Sequence, residues 1–157
     1  MDRKNRIKIF VVDDDAIYLR LVEIEFLERS DFKVETFATG EICIENLSHE
    51  PDLIILDYHL DEVDKSAMNG IQTLDKIKEI NPFIPVVMLS AQDSIEVAIN
   101  CMHHKAFDYI VKSETSFLRL YKVIDTILDS HKMEESLEWY MERMSSRFNQ
   151  SYLKRGL

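Results

Sequence analysis

Hydrophobic positions along this chain switch repeatedly between two periods. Residues 7–12 (IKIFVV) form a short, nearly continuous apolar run, the pattern of a strand buried on both faces. From Ala16 to Glu28 the period lengthens, with Leu19, Val22 and Phe26 at helical spacing. Lys33 to Phe37 reads as a brief second strand, and Gly40 opens a helical stretch carrying Ile44 and Leu47. Pro51-Asp52 leads into Leu53-Ile54-Ile55-Leu56, a third strand that ends at Asp57. Residues 58–69 are a polar loop. Ile71, Leu74 and Ile77 mark a third helix, stopped at Asn81-Pro82. Ile84 to Leu89 is a fourth strand. Ile95, Ala98, Ile99 and Met102 mark a fourth helix, with Asp93 or Ser94 as its N-cap. Asp108 to Val111 is a fifth strand, and a last helix begins near Ser113 to Ser116.

The pattern is strand then helix, five times over. Such alternation predicts an α/β fold with a parallel sheet covered by helices on both faces. Parallel sheets of this kind carry their functional sites at the carboxyl ends of the strands. The tail is longer than one helix of such a domain requires. Phe117, Leu120, Ile124 and Ile127 form one apolar stripe; Met133, Leu137, Tyr140 or Met141, Met144 and Phe148 form another, out of phase by a residue or two. Either a long helix with a stutter or a turn near residues 130–135 explains the shift. The expected division is a domain over 1–128 and a helical extension over 129–157, the latter too short for an output domain of ordinary size.

Composition narrows the class. A hydrophobic fraction of 46% with three glycines and three prolines suits an ordered globular chain rather than a disordered one. No apolar run approaches the roughly 20 residues of a membrane span. The polar start runs straight into a strand with no leader pattern, so the expected location is cytoplasmic, away from membranes. Cys43 and Cys101 lie far apart in apolar helical stretches and read as reduced core thiols. The formal net charge of −10 argues against nucleic-acid binding, which needs clustered Lys and Arg.

The strand ends carry the candidate chemistry. Strand one ends in Asp13-Asp14-Asp15, strand three in Asp57, strand four in Ser90 and strand five in Lys112. Carboxylates that converge in one pocket repel unless a cation sits among them. Hard oxygen donors suit Mg²⁺ or Mn²⁺. A lysine and a hydroxyl facing the same point complete a set able to hold a phosphoryl group. A carboxylate can itself be the nucleophile, giving an aspartyl phosphate.

Four stretches carry a specific resemblance: Phe10-Val11-Val12-Asp13-Asp14, Leu53 to Asp57, Met88-Leu89-Ser90-Ala91 and Asp108-Tyr109-Ile110-Val111-Lys112. Over residues 7–128 the chain resembles a response-regulator receiver domain of two-component signalling. The resemblance implies a five-stranded flavodoxin-like sheet of order 2-1-3-4-5. It implies Asp57 as phosphoacceptor, Asp14 as direct metal-binding acid and Asp13 as its partner acting mainly through water. The backbone carbonyl of His59 would be a further metal ligand. Ser90 would be the switch hydroxyl, Lys112 the phosphoryl-pairing lysine and Tyr109 the aromatic that changes rotamer. His59 and Gln92, two residues past Asp57 and Ser90, would tune the phosphoryl lifetime. Asp15 has no assigned role.

The implied activity is Mg²⁺-dependent phosphoryl transfer from a sensor histidine kinase or histidine phosphotransfer protein, followed by hydrolysis. Such a domain catalyses only its own modification and switches a surface for a downstream protein. Two departures stand out. Ser113 replaces the proline that commonly follows the lysine with a cis peptide. The loop after Asp57 is lengthened by an acidic insertion, Asp61 to Ala67, which could move over the pocket. Two other readings remain open: a receiver-like module that is not phosphorylated, and a haloacid-dehalogenase-type phosphatase built on Asp13-x-Asp15, which would leave Asp57 without a role. The tail could pack on the domain, pair with a second copy or continue into another domain; a homodimer through the last helix is the expectation.

Overall fold

A computed structural model describes residues 6–153, with side chains through Ser146. Met1–Asn5, the Phe148 side chain and Gly156 lie outside the described residues. The chain divides into two units, one through Arg119 and one from Leu120 onward.

The first unit holds all five strands: β1 (Ile7–Val12), β2 (Phe32–Phe37), β3 (Leu53–Asp57), β4 (Val86–Ser90) and β5 (Asp108–Val111). They form one parallel sheet in the order β2-β1-β3-β4-β5. Between them lie α1 (Ala16–Leu27), α2 (Gly40–Glu45), α3 (Gly70–Ile80) and α4 (Ile95–His103). Strand side chains alternate faces. Phe10, Val12, Ile54, Leu56, Val86 and Met88 enter a core that includes Cys43 of α2, Leu74 and Ile77 of α3 and Cys101 of α4. Ile9, Val11, Leu53, Ile55, Val87 and Leu89 are buried at the alternate positions, as are Val22 and Phe26 of α1. Burial on both faces explains the continuous apolar runs.

Local signals account for most boundaries. Asp15 caps α1 through its side chain, Ser94 caps α4, and Asn69 with Gln72 forms a capping box at α3. Of the two cap candidates for α4, Ser94 is therefore the residue used. Strand β4 starts at Val86 rather than Ile84, because Pro85 has no N–H to give the ladder and contributes only its carbonyl, to Ile54. Leu47 falls in a 3-10 turn, Leu47–His49, ended by Glu50 in the left-handed region at φ 55°. Gly70 has a steric reason: a Cβ there would stand 2.3 Å from the Asp57 carbonyl oxygen and 2.7 Å from Tyr58 Cα. Its N–H donates to Tyr58 O at 3.0 Å, which fixes the backbone just past Asp57.

The last helix, α5 (Ser116–Leu153), runs 38 residues without interruption, so the shift between the two apolar stripes is taken up within a helix and there is no turn at 130–135. Leu120, Val123, Ile124 and Ile127 are buried, whereas every residue from Lys132 to Ser146 is exposed. Among the described residues no helix is long and apolar enough to cross a membrane.

Candidate functional site

Strand register brings the chemistry together. Val12 of β1 pairs with Leu56 of β3, Asp57 with Leu89 of β4, and Ser90 with Val111 of β5. Asp13, Asp57, Ser90 and Lys112 therefore stand side by side at one sheet edge. The Lys112 N–H donates to Ser90 O at 2.7 Å, which keeps that row in line one residue past β5. The Lys112–Ser113 peptide is trans, so this edge is built without the cis bond that a proline would favour.

The three acids converge. Asp13, Asp14 and Asp57 each offer a carboxylate oxygen within 4.8 Å of the others. Asp13 and Asp57 are 1% and 4% exposed, so two carboxylates sit out of water. Lys112 Nζ lies between them, 2.6 Å from Asp13 Oδ2 and 3.1 Å from Asp57 Oδ1. One ammonium does not balance three carboxylates. Burial pushes the Asp57 carboxyl up to about 6, and the Asp13 charge adds to that push while Lys112 opposes it. Burial likewise raises Asp13, against the pull of Lys112. For Lys112, burial alone would lower the ammonium; Asp13 and Asp57 more than offset it and hold it above its ordinary value. The pocket thus lacks positive charge while presenting hard oxygen donors, which is the donor set that a small divalent cation fits.

The surroundings were only partly foreseen. The Tyr18 ring lies 4.4 Å beneath Lys112 Nζ, a cation-π contact that positions the ammonium. Tyr18 in turn stacks on Phe117 at 6.5 Å. Nothing in the sequence singles Tyr18 out beyond its place in the first turn after the acid triplet. Asp15 turns away from the cluster: its Oδ1 accepts from Ile17 N and Tyr18 N, and its own N–H donates to Asp13 Oδ1 at 2.9 Å. It caps the helix and orients Asp13, while Asp57 occupies the cluster, an arrangement unlike that required of an Asp13-x-Asp15 phosphatase.

Ser90 and Tyr109 are joined through Gln92. The Ser90 hydroxyl accepts from Gln92 N at 3.1 Å, and the buried Tyr109 hydroxyl donates to the Gln92 carbonyl. The Gln92 side chain is exposed. His59 is half-buried beside Tyr58, with ring centroids 4.9 Å apart, and its Nε2 is buried without a hydrogen-bond partner. The insertion after Asp57 folds back on the site: Val63 N donates to Asp14 Oδ2 at 3.0 Å. Asp64 closes a turn onto Ser66, and Met68 N donates to Glu41 Oε1 at 2.7 Å. The insertion is therefore a strap tied at both ends rather than a free loop.

Comparison with known proteins agrees with this geometry. The family model for the response regulator receiver domain matches residues 9–125. Over 128 residues the chain is 35% identical to a protein-glutamate methylesterase/protein-glutamine glutaminase of Bacillus subtilis, covering 78% of this chain and 34% of that protein. Over 103 residues it is 34% identical to the regulatory protein LuxO of Vibrio cholerae, covering 65% of this chain and 21% of that protein. The chain thus spans about a fifth to a third of the length of these curated relatives. Among solved structures, a CheY-like receiver domain protein from Methanospirillum hungatei superposes with a TM-score of 0.67 at 25% identity, covering 82% of this chain and 98% of that one. The receiver domain of NtrX from Brucella abortus does so at 0.65 and 29%, covering 77% and 98%.

Proposed function

The chain belongs to the response regulator receiver family, and from that premise we propose that Asp57 takes a phosphoryl group from a phosphohistidine on a sensor histidine kinase or a histidine phosphotransfer protein. The observation that carries this reading is the buried Asp57 carboxylate, held 3.1 Å from Lys112 Nζ inside a cluster of acids. A carboxylate poised in this way is a nucleophile with one counter-charge, the Lys112 ammonium, already in place.

Asp57 attacks phosphorus, the phosphorus–nitrogen bond breaks, and its electrons return to the donor imidazole. Asp57 then bears an acyl phosphate. Lys112 pairs with a phosphoryl oxygen, for which it must loosen its hold on Asp13 and Asp57. Asp13, Asp14, Asp57 and the His59 carbonyl would hold Mg²⁺ or Mn²⁺, which supplies positive charge against the transferred phosphoryl oxygens. Hydrolysis of the acyl phosphate by water resets the domain, with His59 and Gln92 tuning its rate. The domain acts on itself and turns over no other substrate.

The switch follows from the hydrogen bonds around Gln92. A phosphoryl group on Asp57 would give the Ser90 hydroxyl a new acceptor. Its departure from Gln92 N changes the strand end to which Tyr109 is tied through the Gln92 carbonyl. New contacts on one state shift the balance between two. The readout surface would comprise α4, β5 and the first turn of α5, where Ile95, Ile99 and Met102 stand exposed. A downstream protein is the proposed reader.

Intact mass after incubation with Mg²⁺ and acetyl phosphate or phosphoramidate tests the reading. A single phosphoryl adduct is expected on the wild type, and none on Asp57→Asn or without metal. A wild type that stays unmodified with several donors would replace this reading with that of a non-phosphorylated interaction module.

A further inference from the structure

Lys112 stands one residue past β5, and its ammonium sits at the end of a flexible four-carbon stem. Its N–H is fixed on Ser90 O at 2.7 Å, but that bond sets only the backbone. The residue after it is Ser113, which places no ring constraint on the turn. Where the ammonium sits is therefore decided at its far end. Two carboxylates hold it there, Asp13 at 2.6 Å and Asp57 at 3.1 Å, and the centre of the Tyr18 ring lies 4.4 Å away.

These holds are of two kinds. An ammonium has three N–H donors. The bonds to Asp13 and Asp57 occupy such donors, and they must be given up before the ammonium can pair with a phosphoryl oxygen. The ring attracts the charge through a quadrupole spread over its whole face, and it accepts no conventional hydrogen bond. Its hold therefore persists while the lysine changes partners. The Tyr18 hydroxyl adds nothing to this: it is buried near Ser116 without a hydrogen-bond partner. What residue 18 offers is a ring, and the ring is backed. Phe117 of α5 stacks on it with the planes 11° apart, and Phe26 of α1 meets Phe117 edge-on at 6.3 Å. Phe26 is 1% exposed, so the stack runs from Lys112 into the core. A plate anchored in this way does not follow the ammonium; the ammonium moves across the plate.

We propose that Tyr18 is a positioning residue for phosphoryl transfer: its ring face keeps the Lys112 ammonium beside Asp57 after the two carboxylates release it. The proposal rests on the reading of Asp57 as phosphoacceptor. Tyr18 exchanges no proton and no electron pair in the step and acts only through Lys112. In the resting chain the carboxylates still hold the lysine, so the ring matters most while the phosphoryl group is being transferred. Losing it should therefore slow the reaction rather than unfold the site.

The rate of adduct formation from acetyl phosphate at saturating Mg²⁺ tests this, read by intact mass on the full chain, with circular dichroism to verify folding. Tyr18→Leu keeps an apolar side chain but has no quadrupole. It should slow the reaction about tenfold, or about 1.4 kcal/mol, within the range of a partly desolvated cation–π contact. Tyr18→Phe keeps the face and drops only the unpartnered hydroxyl, so it should recover the rate to within about twofold of wild type. Proton NMR gives an independent reading. Ring currents should shift the Lys112 side-chain protons upfield in the wild type and in Tyr18→Phe, and the shift should vanish in Tyr18→Leu. An unmodified wild type would overturn the reading of Asp57 and this proposal with it. A modified wild type matched in rate by Tyr18→Leu, a Tyr18→Phe as slow as Tyr18→Leu, or wild-type Lys112 protons without the upfield shift would overturn this proposal and leave the reading of Asp57 standing.

Discussion

The carboxyl edge of the sheet and the exposed half of α5 break the same rule in opposite directions. At the sheet edge, charge is buried: Asp13 and Asp57 are almost wholly withdrawn from water and share one lysine. On the helix, apolar side chains are solvated from Met133 to Met144. Neither arrangement lowers the energy of the isolated chain. The first is a donor set that a small divalent cation fits, and on the proposed reading it also takes a phosphoryl group; the second is apolar surface left to solvent. Both candidate sites in this molecule therefore lie where the partition of polar and apolar groups fails. The two failures differ in how they are held. The buried charges are locked by neighbours, while the apolar stripe is exposed along its described length.

That contrast predicts large effects at the sheet edge and small ones on the helix. Lys112→Ala leaves two carboxylates buried with no counter-ion. It should cost about 3 kcal/mol in urea unfolding without metal, and Mg²⁺ should recover much of the loss if the acids are the cation site. Asp57→Asn should act in the other direction. The folded carboxyl titrates near 6 against an ordinary 3.8, so below the ordinary value both states are protonated and the substitution is neutral. Between the two values the folded chain keeps a proton that the unfolded chain has lost, and stability falls as pH rises. Above about 6 the wild type carries the whole penalty, and the variant should be more stable by up to about 3 kcal/mol without metal. Urea midpoints at pH 4 and pH 7.5 check the sign; an equal shift at both would break the assignment.

Gly70→Ala tests how rigidly the edge is set. The added methyl meets the Asp57 and Tyr58 backbone, so a loss of about 2 kcal/mol is expected, with slower phosphorylation by small donors. Val63→Pro removes the N–H that holds Asp14. It should cost about 1 kcal/mol and, by freeing that carboxylate, tighten Mg²⁺ binding about fivefold in a calorimetric titration. Trp139→Ala, although it deletes the largest side chain of the exposed segment, should change stability by no more than about 0.5 kcal/mol. A larger loss would mean that the exposed half of α5 is anchored within its own chain.

The sheet edge was legible in the sequence because parallel strands impose it. Once five apolar runs are recognised, their last residues must lie side by side, and Asp13, Asp57, Ser90 and Lys112 fall there without further argument. Strand order came only with the family resemblance, since alternation alone allows several windings. What stayed hidden depends on backbone groups or on the third dimension. The N–H of Val63 carries no residue-type signature, so the tie to Asp14 could not be read. Tyr18 reaches Lys112 across 94 positions of sequence, and an aromatic in a first helical turn is unremarkable on its own. The continuity of α5 was ambiguous because a stutter and a turn shift an apolar stripe equally; with no glycine or proline near residue 130, the helix runs on.

The bond between Lys112 and Asp13 joins residues 99 positions apart, and that separation sets an order on the life of the molecule. A chain growing from its amino end exposes the acid triplet first and Asp57 next, and acquires the lysine only after β5 has been made. Until then the acids have no internal counter-ion and repel one another. A half-made chain therefore holds Asp57 but not the lysine that reaches it, so on the proposed reading competence arrives only with the last strand.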